Sequence, residues 1–223
     1  MGMYSFLLKR LFIQMPSIVI DSREANEYER LLLRASQSEG FIHYDCHYPK
    51  YRFISYMCKQ KKCMAHGSNT SSIEQFEPRK QTLFNGKYVE AVFATKDAIW
   101  PLFYAVFDRS KLYGNFRNGC LRIHNEDESY YFFSLTEQTM CEGPWTEGSI
   151  YFLPEVNFRR VSNRGVFFDE WISKEPVVPS YRLEVTKEDF PLLEKVSIHK
   201  SDESIFKTWF SYKRRVNNLL LKR

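Results

Sequence analysis

Two short segments carry the residues best suited to binding a ligand, His66-Gly67-Ser68 and Val92-Phe93-Ala94-Thr95. The first ends a short apolar run from Cys63 that is typical of a β-strand. A glycine there lets a flat ligand approach the backbone amide and carbonyl, and the histidine can hold a ribose hydroxyl. The second lies in a predicted strand and sets an aromatic beside a small and a hydroxyl residue. On spacing alone, the simpler interpretation is a turn histidine without a ligand.

The cysteine and histidine pattern argues against a zinc site, although several candidate ligands lie close in sequence. These candidates are Cys58, Cys63 and His66, with His43, Cys46 and His47 just upstream. The tight C-x2-C knuckle of structural zinc sites is absent. The five cysteines are irregularly spaced, which fits free thiols better. We therefore predict no metal site.

Sequences typical of several enzyme classes are also absent. There is no G-x-S-x-G nucleophile elbow, no Walker-type loop and no dinucleotide-binding G-x-G-x-x-G sequence. Cys63 is near His66 in sequence, but adjacent strand positions point to opposite faces and no third catalytic group is evident. These patterns argue against a cysteine hydrolase, a P-loop enzyme and a Rossmann oxidoreductase.

Composition indicates one domain with a substantial core. The chain has 223 residues, 43% of them apolar and 17% aromatic, and a net charge of +5. This charge is mild for a nucleic-acid-binding protein, and the cluster Lys213-Arg214-Arg215 fits a solvated helix face. Lys9 and Arg10 interrupt the apolar N-terminus, which fits neither a signal peptide nor a membrane span. Together with the free thiols, these features predict a cytoplasmic protein that does not associate with a membrane.

The first half of the sequence is predicted to be mostly helical. Residues 1–20 form an N-terminal extension or a first strand at 18–20. A helix is predicted from Asp21, as its N-cap, to about Gly40, and a second from Pro49 to about Gln60. Asp97 then caps a strongly apolar helix over residues 98–107, which should be buried.

The second half is predicted to be rich in short strands, separated by turn sequences such as Asn118-Gly119. The candidate strands are 120–124, 129–135, 149–153, 158–161, 166–172 and 181–185. Closing helices are predicted at 187–196 and 202–221. Because the predicted helices come early in the chain and the predicted strands come late, we expect a single α+β domain over residues 21–223. Its sheets should be mixed and mostly antiparallel, with helices in the N-terminal half and at the C-terminus.

In their order along the chain, the His66 and Phe93 segments resemble the first two motifs of the ADP-ribosyltransferase superfamily. That superfamily includes poly(ADP-ribose) polymerases, diphtheria-type toxins and RNA 2′-phosphotransferases. Its first motif is a strand with His-Gly-Ser/Thr, its second is a strand of the type Tyr-Phe-Ala/Ser before an apolar helix, and its third is a glutamate beside a late strand. The resemblance covers about residues 64–185. It implies sheets that form a cleft, with a nucleotide pocket in this range.

The resemblance implies a role for each matching residue. His66 would hold a ribose 2′-hydroxyl of NAD, and Gly67 would bind the nicotinamide carboxamide through its backbone. Phe93 would stack on the nicotinamide ring. Ser68 and Thr95 would be polar residues of the NAD pocket.

The third motif departs from the family. Strand 181–185 resembles the family's closing strand, but Ser180 occupies the position before it where the glutamate is expected. Glu175 lies upstream and is the predicted catalytic residue, with Glu170 earlier still and Glu147 before another strand. In the family this glutamate orients the ribose and stabilises an oxocarbenium-like transition state electrostatically.

The leading prediction is therefore an ADP-ribosyltransferase-like domain that binds NAD as its substrate, or a related nucleotide. It would transfer ADP-ribose to a protein or nucleic acid if a carboxylate completes the site. One alternative is an RNA-binding protein on the same fold, using Arg79, Lys80 and the basic C-terminus. Another is a non-catalytic interaction protein that docks through one face of the last helix, formed by Ile205, Trp209, Val216 and Leu220. That face more simply closes the protein's own core.

Overall fold

The chain forms short strands and six helices over residues 2–83, 86–162 and 164–220, the part described by this computed structural model. The helices are α1 (Met3–Leu11), α2 (Ser22–Ala35), α3 (Lys50–Gln60), α4 (Trp100–Val106), α5 (Glu137–Cys141) and α6 (Ile205–Leu220). The strands are β1 (Ile13–Met15), β2 (Phe41–Ile42), β3 (Cys63–Ser68), β4 (Arg79–Thr82), β5 (Tyr88–Ala94), β6 (Arg117–Ile123), β7 (Ser129–Thr136), β8 (Gly148–Pro154), β9 (Arg159–Arg160), β10 (Val166–Phe168), β11 (Trp171–Ser173), β12 (Tyr181–Val185) and β13 (Ser197–His199). Most helices precede most strands, so the predicted α+β class is confirmed.

The strands form three sheets in which most neighbours are antiparallel. The first sheet has the order β1-β7-β6-β10, with β13 also paired to β7. The second has the order β4-β5-β11-β9, and the third β2-β12-β8-β3. Two pairs are parallel, β2 with β12 and β13 with β7. The predicted mixed, mostly antiparallel sheets are therefore confirmed.

Two of the early helices begin where an aspartate satisfies their free amide groups. Asp21 Oδ1 accepts a hydrogen bond from the Glu24 amide at 2.9 Å, at the start of α2. Asp97 Oδ1 accepts from the amides of Ile99 and Trp100 at 2.8 and 2.7 Å, just before α4. Such N-caps occupy donors that the first helical turn leaves without partners. The predicted starts of these helices are therefore close to the observed ones.

A predicted strand near the N-terminus and a predicted helix near the C-terminus differ from the structure. The strand within residues 1–20 is β1, which pairs with β7, rather than a strand at 18–20. The predicted helix at 187–196 is replaced by two 3-10 turns, Lys187–Asp189 and Leu193–Lys195. Pro191 lies between the turns and has no amide hydrogen to donate to a continuous helix.

The predicted strand at 166–172 is interrupted at Asp169 and Glu170, and its two halves belong to different sheets. β10 pairs with β6, whereas β11 pairs with β5. The Asp169 carboxylate is fully buried and accepts from Thr95 Oγ1 at 3.0 Å and from Trp171 Nε1 at 3.1 Å. These bonds fix the point where the chain crosses from the first sheet to the second.

Helix α6 packs against the first sheet with the same face that the sequence offers for docking a partner. The Trp209 ring lies 6.1 Å from the Phe12 ring and 5.8 Å from the Phe132 ring, measured between centroids. Val216, two turns further along the same face, is fully buried. This face therefore closes the protein's own core.

An ion pair between Glu203 and Arg215 should make the protein sensitive to acid. Arg215 donates to both carboxylate oxygens of Glu203, at 2.8 and 2.6 Å, and lowers the pKa of Glu203 from 4.5 to about 2. Because the folded-state pKa is depressed, this stabilisation is complete above pH 4.5 and is lost as the pH falls towards 2. We expect Glu203→Gln to lower the free energy of unfolding by about 2–3 kcal/mol at neutral pH.

Urea unfolding at neutral pH and near pH 2 measures this effect. The difference between wild type and Glu203→Gln should shrink towards zero at the lower pH. The exposed Glu184→Gln serves as a control and should unfold like the wild type at both pH values. If Glu203→Gln has the same loss in free energy of unfolding at both pH values, the proposed pKa shift is wrong.

Candidate functional site

A cavity of about 240 Å³ opens between β3 and β5, where the third and second sheets meet. In the described part of the chain, these two strands are joined by one bridge, in which Ala65 and Thr95 exchange backbone hydrogen bonds of 2.8 and 3.0 Å. Beyond the bridge, the residues that follow Ala65 and those that precede Thr95 line the cavity. Side chains from α4, β4 and the segments before β6 and β11 complete its walls.

The divergence of the two strands turns the backbone edge of Gly67 towards the cavity. In an antiparallel ladder, residues two apart direct their N–H and C=O groups towards the same neighbour. Since Ala65 bonds to Thr95, Gly67 directs its groups towards β5, and no backbone bond joins it to Phe93 among the described residues. A neighbouring N–H and C=O complement a carboxamide, which has both an acceptor oxygen and donor hydrogens.

His66 is held in one tautomer at the edge of the cavity. Its Nδ1 lies 2.6 Å from the carbonyl oxygen of Phe93. Because a carbonyl only accepts, Nδ1 carries the proton and donates, and Nε2 of the neutral ring can accept a hydrogen bond. Burial lowers the pKa of His66, and the positive charge of Arg109 lowers it further. The ring also packs 4.7 Å from the ring of Phe76. His66 is therefore a neutral, oriented acceptor.

Aromatic side chains form one wall of the cavity, with Arg109 beside them. Trp100 and Tyr104 come from α4, and Phe116 lies just before β6. Trp100 is fixed by a 2.6 Å hydrogen bond from Nε1 to Oδ1 of Asn118. The exposed guanidinium of Arg109 lies 5.3 Å from the Tyr104 ring centroid and 5.6 Å from that of Phe116. A flat ring could stack on this wall, and the guanidinium of Arg109 could bind an anionic group beside it.

Among the residues that line the cavity, the carboxylate is Glu170. Its amide donates to the Phe168 carbonyl at 2.8 Å, and its carbonyl accepts from the Val161 amide at 3.0 Å. These bonds anchor the segment between β10 and β11. Glu175, the predicted catalytic residue, is exposed beyond β11 and does not line the cavity. The sequence offers Glu170 only as an alternative to Glu175, because Glu170 lies in what reads as a continuous strand.

Thr95 and Ser68 use their hydroxyls within the protein. Thr95 lines the cavity, but its Oγ1 donates to Asp169 and accepts from the Asp97 amide, each at 3.0 Å. Ser68 does not line the cavity, and its Oγ accepts from the Thr70 amide at 3.1 Å. The predicted binding residues that meet at the cavity are His66, Gly67, Phe93 and Thr95.

Two glycines allow α4 to form the floor of the cavity. A Cβ added at Gly67 would lie 1.8 Å from the carbonyl oxygen of Pro101, and one at Gly148 would lie 2.0 Å from that of Ala105. Both distances are far shorter than van der Waals contact, so the helix rests directly on the backbone of β3 and β8. Gly67 therefore has a packing role as well as an exposed backbone edge.

A larger depression, of about 690 Å³, lies elsewhere on the surface. Its lining includes Lys61 and Glu29, which form an ion pair at 2.5 Å, and Glu155, which pairs with Lys96. No histidine is among its lining residues. The smaller cavity is the better candidate site, because a histidine, a carboxylate and an aromatic wall meet there.

No family model, curated protein or solved structure matches this chain. Function therefore has to follow from the geometry and chemistry of the cavity. Within residues 2–83, 86–162 and 164–220, no helix has both the length and the apolar content needed to cross a bilayer.

Proposed function

We propose that the cavity binds NAD or a closely related nucleotide, and that the chain is an ADP-ribosyltransferase-like domain. The observation that carries this proposal is the convergence of His66, Phe93 and Glu170 on one cavity. The first two belong to the segments that resemble the superfamily's motifs. Glu170 lines the cavity and offers a carboxylate there, whereas Glu175, which the sequence favours, does not line it.

The cavity is suited to the nicotinamide end of NAD. Its volume of about 240 Å³ is below the usual range of about 300–1,000 Å³ for larger ligands, so it would enclose one ring and its sugar rather than a dinucleotide. The carboxamide would bond to the backbone of Gly67, and the ring would lie between Phe93 and the aromatic wall. The phosphates would then lie near the exposed Arg109.

The surrounding groups are suited to cleaving the bond between nicotinamide and ribose. As this bond breaks, its electron pair moves to the nicotinamide nitrogen, which loses its positive charge, and positive charge develops on the sugar. The carboxylate of Glu170 would stabilise that charge. Nε2 of His66 would accept a hydrogen bond from a ribose hydroxyl and orient the sugar. An acceptor nucleophile would then bond to the sugar and release its proton.

Calorimetric titration with NAD tests the proposed binding. We expect wild-type protein to bind NAD, and His66→Ala to weaken binding about tenfold, because one hydrogen bond is worth about 1–1.5 kcal/mol. His124→Ala is a matched control, since His124 is exposed and does not line the cavity. Its affinity should equal that of the wild type.

The absence of NAD binding in the wild type, together with the absence of NAD turnover, would overturn the proposal. Equal losses of affinity in His66→Ala and His124→Ala would place the nucleotide somewhere other than this cavity. Binding without turnover would favour a domain that binds the nucleotide but does not transfer ADP-ribose.

A further inference from the structure

A second group of side chains with metal-binding chemistry lies on α2 and on the loop between β2 and α3. Among the described residues, Glu27, Cys46 and His47 bring one ligand atom each to within 4.8 Å of one another. Cys46 Sγ lies 3.1 Å from Glu27 Oε2, and His47 Nδ1 lies 3.4 Å from the same oxygen. None of these residues lines the cavity near His66, so this group is separate from the proposed NAD site.

Two of the three distances between these atoms are close to those of a tetrahedral zinc site. Zinc binds sulfur at about 2.3 Å and nitrogen or oxygen at about 2.0–2.2 Å, which places neighbouring ligand atoms about 3.3–3.7 Å apart. The two separations from Glu27 Oε2, 3.1 and 3.4 Å, need only small adjustments to reach this range. A thiolate, an imidazole and a carboxylate are also the ligand types that zinc prefers.

The backbone that carries these ligands is held in place by bonds of its own. Asp45, next to Cys46, accepts two hydrogen bonds from Arg34 of α2, at 2.6 and 2.7 Å. Glu27 and Arg34 are both on α2, two turns apart and on the same side of the helix. Tyr44 Oη also donates to the Tyr48 carbonyl at 2.7 Å, which closes the loop around Cys46. Ligands anchored in this way need little rearrangement to bind a metal.

Charge balance and access also suit a divalent cation. Cys46 Sγ donates its proton to Glu27 in the metal-free protein, and a metal would replace that proton. The resulting thiolate and the Glu27 carboxylate would together neutralise two positive charges. The nearby Arg34 is already paired with Asp45. A surface depression of about 570 Å³, lined in part by Glu27 and Cys46, gives an ion a path to the site.

We propose, contrary to the prediction from cysteine spacing, that Glu27, Cys46 and His47 bind one Zn²⁺ ion, with a water molecule as the fourth ligand. Three protein ligands and a water are the arrangement of zinc sites that keep an open position. Binding forms a bond between the metal and the thiolate and releases the Cys46 proton to solvent.

Titration of the full chain with Co²⁺ tests this proposal, because cobalt replaces zinc and absorbs light. We expect a thiolate-to-cobalt charge-transfer band and the visible bands of tetrahedral cobalt, saturating at one equivalent and removed by added Zn²⁺. Cys46→Ser should eliminate the charge-transfer band. His47→Ala should weaken cobalt binding by about tenfold or more.

Cys141→Ser is the matched control, because Cys141 is an exposed free cysteine and should not affect the band. The His47 side chain is 65% exposed, so His47→Ala should keep the fold, as circular dichroism of the metal-free variant would confirm. No charge-transfer band in the wild type, or a band that persists in Cys46→Ser, would overturn the proposal. Loss of the band in Cys141→Ser would also overturn it.

Discussion

We expect the Glu170→Gln variant to turn over NAD about 10²–10³-fold more slowly than the wild type, with its NAD affinity changed by less than about threefold. Glutamine has nearly the shape of glutamate but no charge. The substitution should therefore preserve packing at the cavity and remove the stabilisation of the positively charged sugar. Nicotinamide release measures turnover, and calorimetry measures binding. Together, the two measurements separate an effect on the chemical step from an effect on NAD affinity.

Two glutamates outside the cavity serve as comparisons for Glu170. Glu175 follows β11 and Glu90 lies on β5, and both side chains are exposed. We expect Glu175→Gln and Glu90→Gln to turn over NAD like the wild type. If Glu175→Gln instead abolishes turnover while Glu170→Gln does not, the catalytic carboxylate is Glu175, as the sequence predicts.

We expect Gly67→Ala to lower the free energy of unfolding by about 3 kcal/mol or more, at the upper end of what overpacking costs. The new Cβ would lie 1.8 Å from the Pro101 carbonyl oxygen, and a backbone carbonyl cannot rotate away as a side chain can. To remove this clash, α4 would have to move away from β3, and that movement would also deform the cavity floor. Urea unfolding measures the loss of stability, and NAD titration measures the effect on the cavity.

Two other glycines calibrate this result. Gly148→Ala should be destabilising for the same reason, because its Cβ would lie 2.0 Å from the Ala105 carbonyl oxygen. A Cβ at Gly2 would meet only a Glu126 side-chain oxygen at 3.9 Å, so Gly2→Ala should cost no more than about 1 kcal/mol, which reflects the loss of glycine at the N-cap of α1 rather than a clash. If Gly67→Ala were as stable as Gly2→Ala, α4 could not be seated on β3 as described.

The early helices could be predicted from the sequence because their signals are local. Asp21 is the N-cap of α2 and Asp97 lies just before α4, and both side chains bond to amides only a few residues ahead. The apolar residues after Asp97 predict a buried helix, and α4 is buried on nearly every side. The meeting of His66 and Phe93 could also be anticipated, since both residues belong to motifs whose order along the chain was already suggestive.

The carboxylate of the site could not be predicted in the same way, because its position depends on long-range pairing. Residues 166–172 alternate like one strand, and nothing local shows that the first half pairs with β6 and the second with β5. The available signal was Asp169 followed by Glu170, since acidic residues are uncommon within strands. One of the two is buried at the sheet crossing and the other reaches the cavity.

Because the cavity opens beside the bridge between Ala65 and Thr95, a bound ligand would become part of the contact between two sheets. A ligand that bonds to Gly67 on one side and packs against Phe93 on the other would link β3 to β5 next to that bridge. Its binding free energy would add to the cohesion of those sheets and would grow with the logarithm of ligand concentration. The protein's resistance to heat and to proteases would therefore rise with the concentration of that ligand.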